Sequence, residues 1–116
     1  MLPTVTYAQA VALKEKGFDE KCESFYQVGY EAVRHVLPTQ NWNWFNDYLN
    51  APDLYTVCDW LRDKHDLHLS VRAIGKWYDC MIQGTKDGEE LYDTGAGTTH
   101  DLALSAAITH ALTLIQ

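Results

Sequence analysis

Two histidines three residues apart, three cysteines, a glycine pair ahead of a helix and a knot of tryptophans are the parts of this 116-residue chain with chemical potential. His65-x-x-His68 is the nearest approach to a metal pair. It spans a helix-to-strand junction, where i,i+3 spacing does not bring both imidazoles to one helical face. No third ligand stands at a diagnostic spacing, although Asp63 and Asp66 are close in sequence. Both histidines read as structural or solvent-exposed, His100 as part of a helix start and His110 as a mid-helix packing residue. Cys58 falls on the apolar stripe of a helix and Cys80 on the inward face of a strand, where cysteine acts as a small hydrophobe. Cys22 is the one expected at the surface. A Cys-His hydrolase needs a poised thiolate and a base within hydrogen-bond reach, and nothing in the chain marks either. Gly95-x-Gly97 lacks the third glycine and the following Lys of a phosphate cradle, so it reads as a strand-to-helix turn. No catalytic, cofactor-binding or metal-ligating residue is assigned.

The aromatic cluster Trp42, Trp44, Phe45 and Tyr48, interleaved with Asn, is the best functional candidate by composition. Such rings suit a partner or stacking surface. The competing reading, which burial statistics favour, makes some of them a lid on the core, since large aromatics are mostly buried. Trp77 and Tyr92, on the strand face away from Ile82, either extend the patch or are covered by the Trp-rich segment.

The elements that must position these residues are read from punctuation and period. Thr6 with Gln9 forms a capping box, and Gly17 after Lys14, Glu15 and Lys16 is a glycine stop, predicting a helix over 6–16. Its buried stripe is Ala10, Leu13 and Gly17, flanked by Val11, with Phe18 touching Leu13. Ser24–Val28 reads as a strand. In 29–37 helical and alternating periods conflict, Pro38 ends whatever forms there, and the second half of 41–49 reads as a short strand. Asp53 caps a helix over 53–65 striped by Leu54, Val57, Cys58 and Leu61. Leu67, Leu69, Val71 and Ala73 then alternate as a strand. Trp77–Gln83 follows with Tyr78, Cys80 and Ile82 on one face. Asp87–Gly88 marks a hairpin and Glu89–Thr94 the returning strand; a two-residue loop sets Ile82 opposite Asp93. Thr98 with Asp101 is a capping-box candidate for a last helix over 98–115, whose buried face is 104, 108, 111 and 115. The order implies a single α+β domain, 1–116, in two layers: an antiparallel sheet of four or five strands, ending in a three-stranded meander, with about three helices mainly on one face.

Composition bounds the function. Apolar residues make up 47% and charged residues 22% of the chain, which excludes disordered and low-complexity classes. Nine Lys and Arg against sixteen Asp and Glu leave a net charge of −7, opposing attraction to nucleic acid or anionic membranes. Helix–β–β–β–helix from Pro52 onward matches the order of a double-stranded RNA-binding domain. The place where such a module needs cations reads Thr98–Thr99–His100–Asp101, so RNA binding is rejected. Odd, unpaired cysteines and the lack of a basic, apolar leader point to a reduced cytosolic protein. The longest uncharged run, Leu102–Gln116, is 15 residues, short of a membrane span.

Three blocks together resemble a group of small proteins carried by bacteriophages, prophages and mobile elements of gut bacteria. The first is Thr-Tyr-x-Gln-Ala-x-x-Leu-Lys-Glu-Lys-Gly-Phe-Asp-Glu at 6–20, followed by a Cys and a Phe-Tyr strand. The second runs from Ala51–Pro52 through Leu54–Tyr55 and Trp60–Leu61–Arg62 to His68–Leu69–Ser70–Val71. The third is the helix Thr99–Ile108. The resemblance implies origin and fold and carries no activity. The leading expectation is a non-enzymatic accessory protein acting through contacts with an unidentified protein. The alternatives are a small-ligand binder or enzyme using the aromatic patch with His65 and His68, and a nucleic-acid-mimicking inhibitor, for which Asp53, Asp59, Asp63 and Asp66 form a partial row. A homodimer is also expected. Leu102, Ser105, Ala106, Thr109, Leu112 and Thr113 leave an uncharged outer side on the last helix, where a solvated helix normally keeps charge.

Overall fold

The computed structural model describes residues 3–84 and 90–115, and among these not the side chains of 35–38 and 90–96. The chain divides into two compact units, Met1–Asp53 and Leu54–Gln116. The described residues form three helices and two antiparallel sheets, an α+β arrangement. The strands fall into two separate three-stranded sheets, not the one sheet of four or five expected.

In the first unit, helix α1 (Tyr7–Glu15) begins at the expected capping box. The Thr6 backbone N–H donates to Gln9 Oε1 at 2.9 Å and the Gln9 N–H to Thr6 Oγ1 at 3.2 Å. It ends in a Schellman motif: Phe18 N–H donates to the Leu13 carbonyl and Gly17 N–H to that of Lys14, with Gly17 at φ +86°. Leu13 and Phe18 are buried at that end. Gly17, expected on the buried stripe, is exposed, because a residue that turns the chain out of the helix leaves the helix face with it.

Strand β1 (Cys22–Gln27) is central, with β2 (Arg34–Gln40) on one side and β3 (Tyr48–Asn50) on the other. Pro38 does not end an element; it lies within β2. The register runs from Ser24 opposite His35 to Cys22 opposite Gln40, so residues 36–39 bulge opposite Glu23 alone. A proline in the bulge of an edge strand removes no ladder bond, which is why the strand passes through it. Helix α1 lies against β3.

The second unit runs α2 (Leu54–His65), β4 (Leu67–Ile74), β5 (Trp77–Gly84), β6 (Glu90–Gly97) and α3 (His100–Leu114). Helix α2 passes into β4 through Asp66 alone, at φ +56°, a conformation Asp tolerates better than most residues. Leu67 and Leu69 are buried, Val71 is half-buried and Ala73 exposed, so the inner face of β4 fades along the strand. Cys80 and Ile82 are fully buried. Ile82 pairs with Tyr92, one residue from the register of a two-residue loop, because irregularities flank the β5–β6 ladder. The expected turn at Asp87–Gly88 lies outside the described residues.

Thr99, not Thr98, caps α3, its side chain accepting from the Leu102 N–H at 3.1 Å. A Cβ on Gly97 would stand 2.8 Å from the Ala103 nitrogen, so glycine is what lets the end of β6 approach the first turn of α3. Leu104, Ile108, Ala111 and Ile115 are buried as expected, and Ala103 and Ala107 join them. Leu112, expected on the outer side, is also buried. Small alanines let α3 approach the three strands it lies on, so the buried face is wider than one stripe.

Candidate functional site

The aromatic segment of the first unit forms a knuckle whose scaffold is asparagine. Asn41 caps a 3-10 turn over Trp42–Trp44, its Oδ1 accepting from the Asn43 N–H at 3.1 Å. Asn50, on β3 and wholly buried, accepts the Trp42 N–H at 2.7 Å. Its amide donates to Asn41 Oδ1 at 2.8 Å and to the Glu20 carbonyl at 3.1 Å. Asn43 returns the bond, accepting the Asn50 N–H at 2.8 Å and donating to the Phe18 carbonyl at 2.8 Å. A turn that offers the backbone few partners of its own is thus closed by three side-chain amides. Lys14 completes the frame from α1, its ammonium donating to the carbonyls of Phe45 at 2.9 Å and Tyr48 at 3.2 Å.

The cluster splits by depth. Trp42 is buried, stacked on Phe25 with centroids 4.2 Å apart, and its indole N–H donates to the Cys22 carbonyl at 2.9 Å. It belongs to the core and is unavailable as a contact residue. Tyr48 is half-buried, edge-on to both Phe25 and Trp42. Phe45 is 44% exposed, and Trp44 stands out from the turn at 79%. Core and surface readings of the segment are therefore both realised, by different residues. The asparagines, read in sequence as part of the displayed surface, are the members that hold it. The signal for that was Asn41 at a cap position.

Trp77 lies in the second unit, 57% exposed and cross-strand from Ile74, which is also exposed. Beside that pair Arg72 and Asp79 form a bidentate ion pair, 2.8 and 3.1 Å. The backbone of Tyr92 pairs with Ile82; its side chain lies outside the described residues.

The histidines part company. His65 rests edge-on against Trp60, centroids 4.5 Å apart, and burial lowers its pKa, partly countered by Asp66. His68 instead lines a groove of about 280 Å³ in the second unit. Tyr55, Cys58, Asp59 and Arg62 reach this groove from one face of α2, Leu69 and Val71 from β4, and His100 and Leu104 from α3. Among the described residues no group of three or more His, Cys, Asp or Glu side chains is placed to hold a metal ion.

Two of the three cysteines depart from expectation, while Cys80 is fully buried on β5 as expected. Cys22 is buried, not exposed, and burial, reinforced by the carboxylates of Glu20 and Asp53, pushes its thiol up to about 12. Its alternate strand position faces the core, a fact hidden by the charged residues that flank it. Cys58, expected to be buried, is half-buried beside the groove. On α3, Leu102 is 57% exposed, and Ala106, Thr109 and Thr113 are exposed, with Ser105 half-buried. The Thr109 and Thr113 hydroxyls donate back to the carbonyls of Ser105 and His110, which mutes their polarity.

Among the described residues no helix is long and apolar enough to cross a membrane. Comparison with protein-family models, curated proteins and solved structures finds no match to the chain.

Proposed function

We propose that this chain is a non-enzymatic accessory protein of a phage or mobile element, working in the cytosol by docking another protein on the Trp44–Phe45 knuckle. The observation that carries the reading is a tryptophan 79% exposed on a turn that buried amides already hold rigid. A preorganised aromatic anchor loses little conformational entropy on binding, and such anchors dominate interface energetics. The resemblance of the three sequence blocks to mobile-element proteins supports the setting.

A tryptophan that fills a partner pocket contributes at least about 2 kcal/mol, or about thirty-fold in affinity. Immobilised wild-type protein should retain a specific protein from host lysate, and Trp44→Ala should lose it while keeping its fold. Retention of the same partner by Trp44→Ala would refute the knuckle as the docking element.

The uncharged outer row of α3 supports self-association as well: Leu102 and Ala106 offer apolar area, and small neighbours permit close helix approach. This pairing is part of the same proposal and is tested separately below.

A further inference from the structure

The groove of the second unit plays no part in the docking reading. It gathers nitrogen-bearing heads from three different elements, Arg62 on α2, His68 on β4 and His100 at the start of α3. Beneath them Leu69 and Leu104 are 9% and 3% exposed, giving a buried apolar floor. Convergent polar groups over an apolar base are the general form of a small-ligand site. The volume, about 280 Å³, lies at the lower end for such sites and suits a ligand of one ring. Chemistry selects the sign. Among the described residues, three groups able to donate through nitrogen line the groove against the carboxylate of Asp59, with a second carboxylate, Asp101, at its edge, 3.7 Å from His100 Nδ1 and accepting from the Tyr55 hydroxyl at 3.3 Å. Guanidinium matches an oxyanion with two parallel hydrogen bonds, which no other side chain does as well. Asp59, three positions before Arg62 on the same helix face, repels a second acid group, so the ligand carries its charge at one end.

We propose that this groove binds a small oxyanion carried on an apolar body, with Arg62 holding the oxyanion, His68 and His100 beside it, and Leu69 and Leu104 under the body. Carboxylates and phosphate monoesters share that chemistry. A ligand of so few atoms binds in the millimolar to high-micromolar range, because total affinity scales with ligand size.

The test uses the full chain and follows the imidazole proton resonances during titration with benzoate, phenyl phosphate, inorganic phosphate and benzylamine. His65, packed on Trp60, is the internal reference. Saturable shifts of His68 and His100 are expected with benzoate or phenyl phosphate, with His65 still. Arg62→Gln, at an exposed position, should keep the fold and weaken binding about ten-fold, the usual scale for a charge-assisted hydrogen bond. Whichever of the two ring compounds binds more tightly identifies the oxyanion. No saturable shift with either would overturn the proposal, as would equal affinity in Arg62→Gln or an equal response to benzylamine. Binding of inorganic phosphate as tight as that of phenyl phosphate would overturn the apolar-body requirement.

Discussion

Asn50 carries more of the first unit's order than its single side chain suggests, since its amide accepts from Trp42 N–H and donates to both Asn41 and the Glu20 carbonyl. Removing it strands the buried Trp42 N–H and takes one bond each from Asn41 Oδ1, which keeps the Asn43 N–H, and from the Glu20 carbonyl; an unpaired buried donor alone costs about 1–3 kcal/mol. Asn50→Ala should therefore lower unfolding free energy by roughly 2–4 kcal/mol in urea titration, after some relaxation. Trp44→Ala, one turn away but exposed, should change it by less than about 0.5 kcal/mol. An equal loss in both would mean that Trp44 is held by the fold and is not free to serve as an anchor. The cysteines give a second residue-scale expectation. With its pKa near 12 and its side chain buried, Cys22 should resist alkylation at pH 8 in the native protein, as should Cys80, while Cys58 is modified. All three should react in urea. Among the described residues, Cys22 and Tyr26 on the alkaline side and His65 on the acid side carry shifted pKa values that make stability depend on pH; burial raises the Tyr26 phenol as it does the Cys22 thiol. The Cys22 thiol is raised above its unfolded value of 9.0, so its neutral form stabilises the fold below pH 9, and that contribution is lost as pH climbs from 9 toward 12. His65 is lowered from 6.5, so its contribution is complete above pH 6.5 and is lost as pH falls through its depressed folded value. Chemical denaturation across pH should show both shoulders, and His65→Asn should flatten the acid one.

Helix ends were legible because their signals are local and made of particular atoms. Thr6, Gln9 and Gly17 each have one dominant use at their spacing, and α1, α2 and α3 lie within two residues of their expected bounds. The two glycines that punctuate the chain act differently, and a paired substitution separates them. Gly17→Ala meets open space and carries only the left-handed φ, a cost of about 1 kcal/mol. Gly97→Ala drives a methyl onto the backbone nitrogen of Ala103, so strand or helix must move, a penalty of roughly 1–3 kcal/mol. Gly97→Ala should prove the more destabilising in denaturant midpoints; the reverse order would mean that β6 and α3 yield easily. Strand organisation was legible only in part, for a physical reason. Alternation tells which face of a strand is buried but not which strand it pairs with, so two sheets of three were read as one. The bulge in β2 hid its period, because residues 36–39 oppose Glu23 alone and break any alternation around Pro38. The candidate site was legible as composition and not as depth. Nothing local separates Trp42, stacked on Phe25, from Trp44 two residues on, because the difference is made by Asn50 and Cys22, distant in sequence. The groove around Arg62 was invisible for the same reason: only the fold brings His68 and His100 to the face of α2.

At the scale of the whole molecule, the net charge of −7 and the uncharged row on α3 act in opposite directions on self-association. No Asp, Glu, Lys or Arg follows Asp101, so copies meeting on Leu102, Ala106, Thr109 and Thr113 would bring none of those charges together there. In the proposed pairing the attraction would be apolar contact, since the threonine hydroxyls are already turned back onto the helix. Opposing it is the repulsion of two like-charged bodies, a long-range term that salt screens: the Debye length falls from about 30 Å at 0.01 M to about 10 Å at 0.1 M. Pairing through this row must then strengthen as salt is added, the reverse of an interface built on complementary charge. Sedimentation of the wild type should show weight-average mass rising from low to moderate salt at micromolar concentration. Thr109→Lys places a hydrated ammonium on each side of a two-fold contact, where the pair of like charges cannot be desolvated without large cost. That variant should sediment as a monomer at every salt concentration, even though it lowers the net charge to −6 and so weakens the general repulsion. Because those two effects of the lysine have opposite signs, the experiment separates them: loss of association locates the contact on α3, whereas a gain would show that overall charge alone governs whether the copies meet.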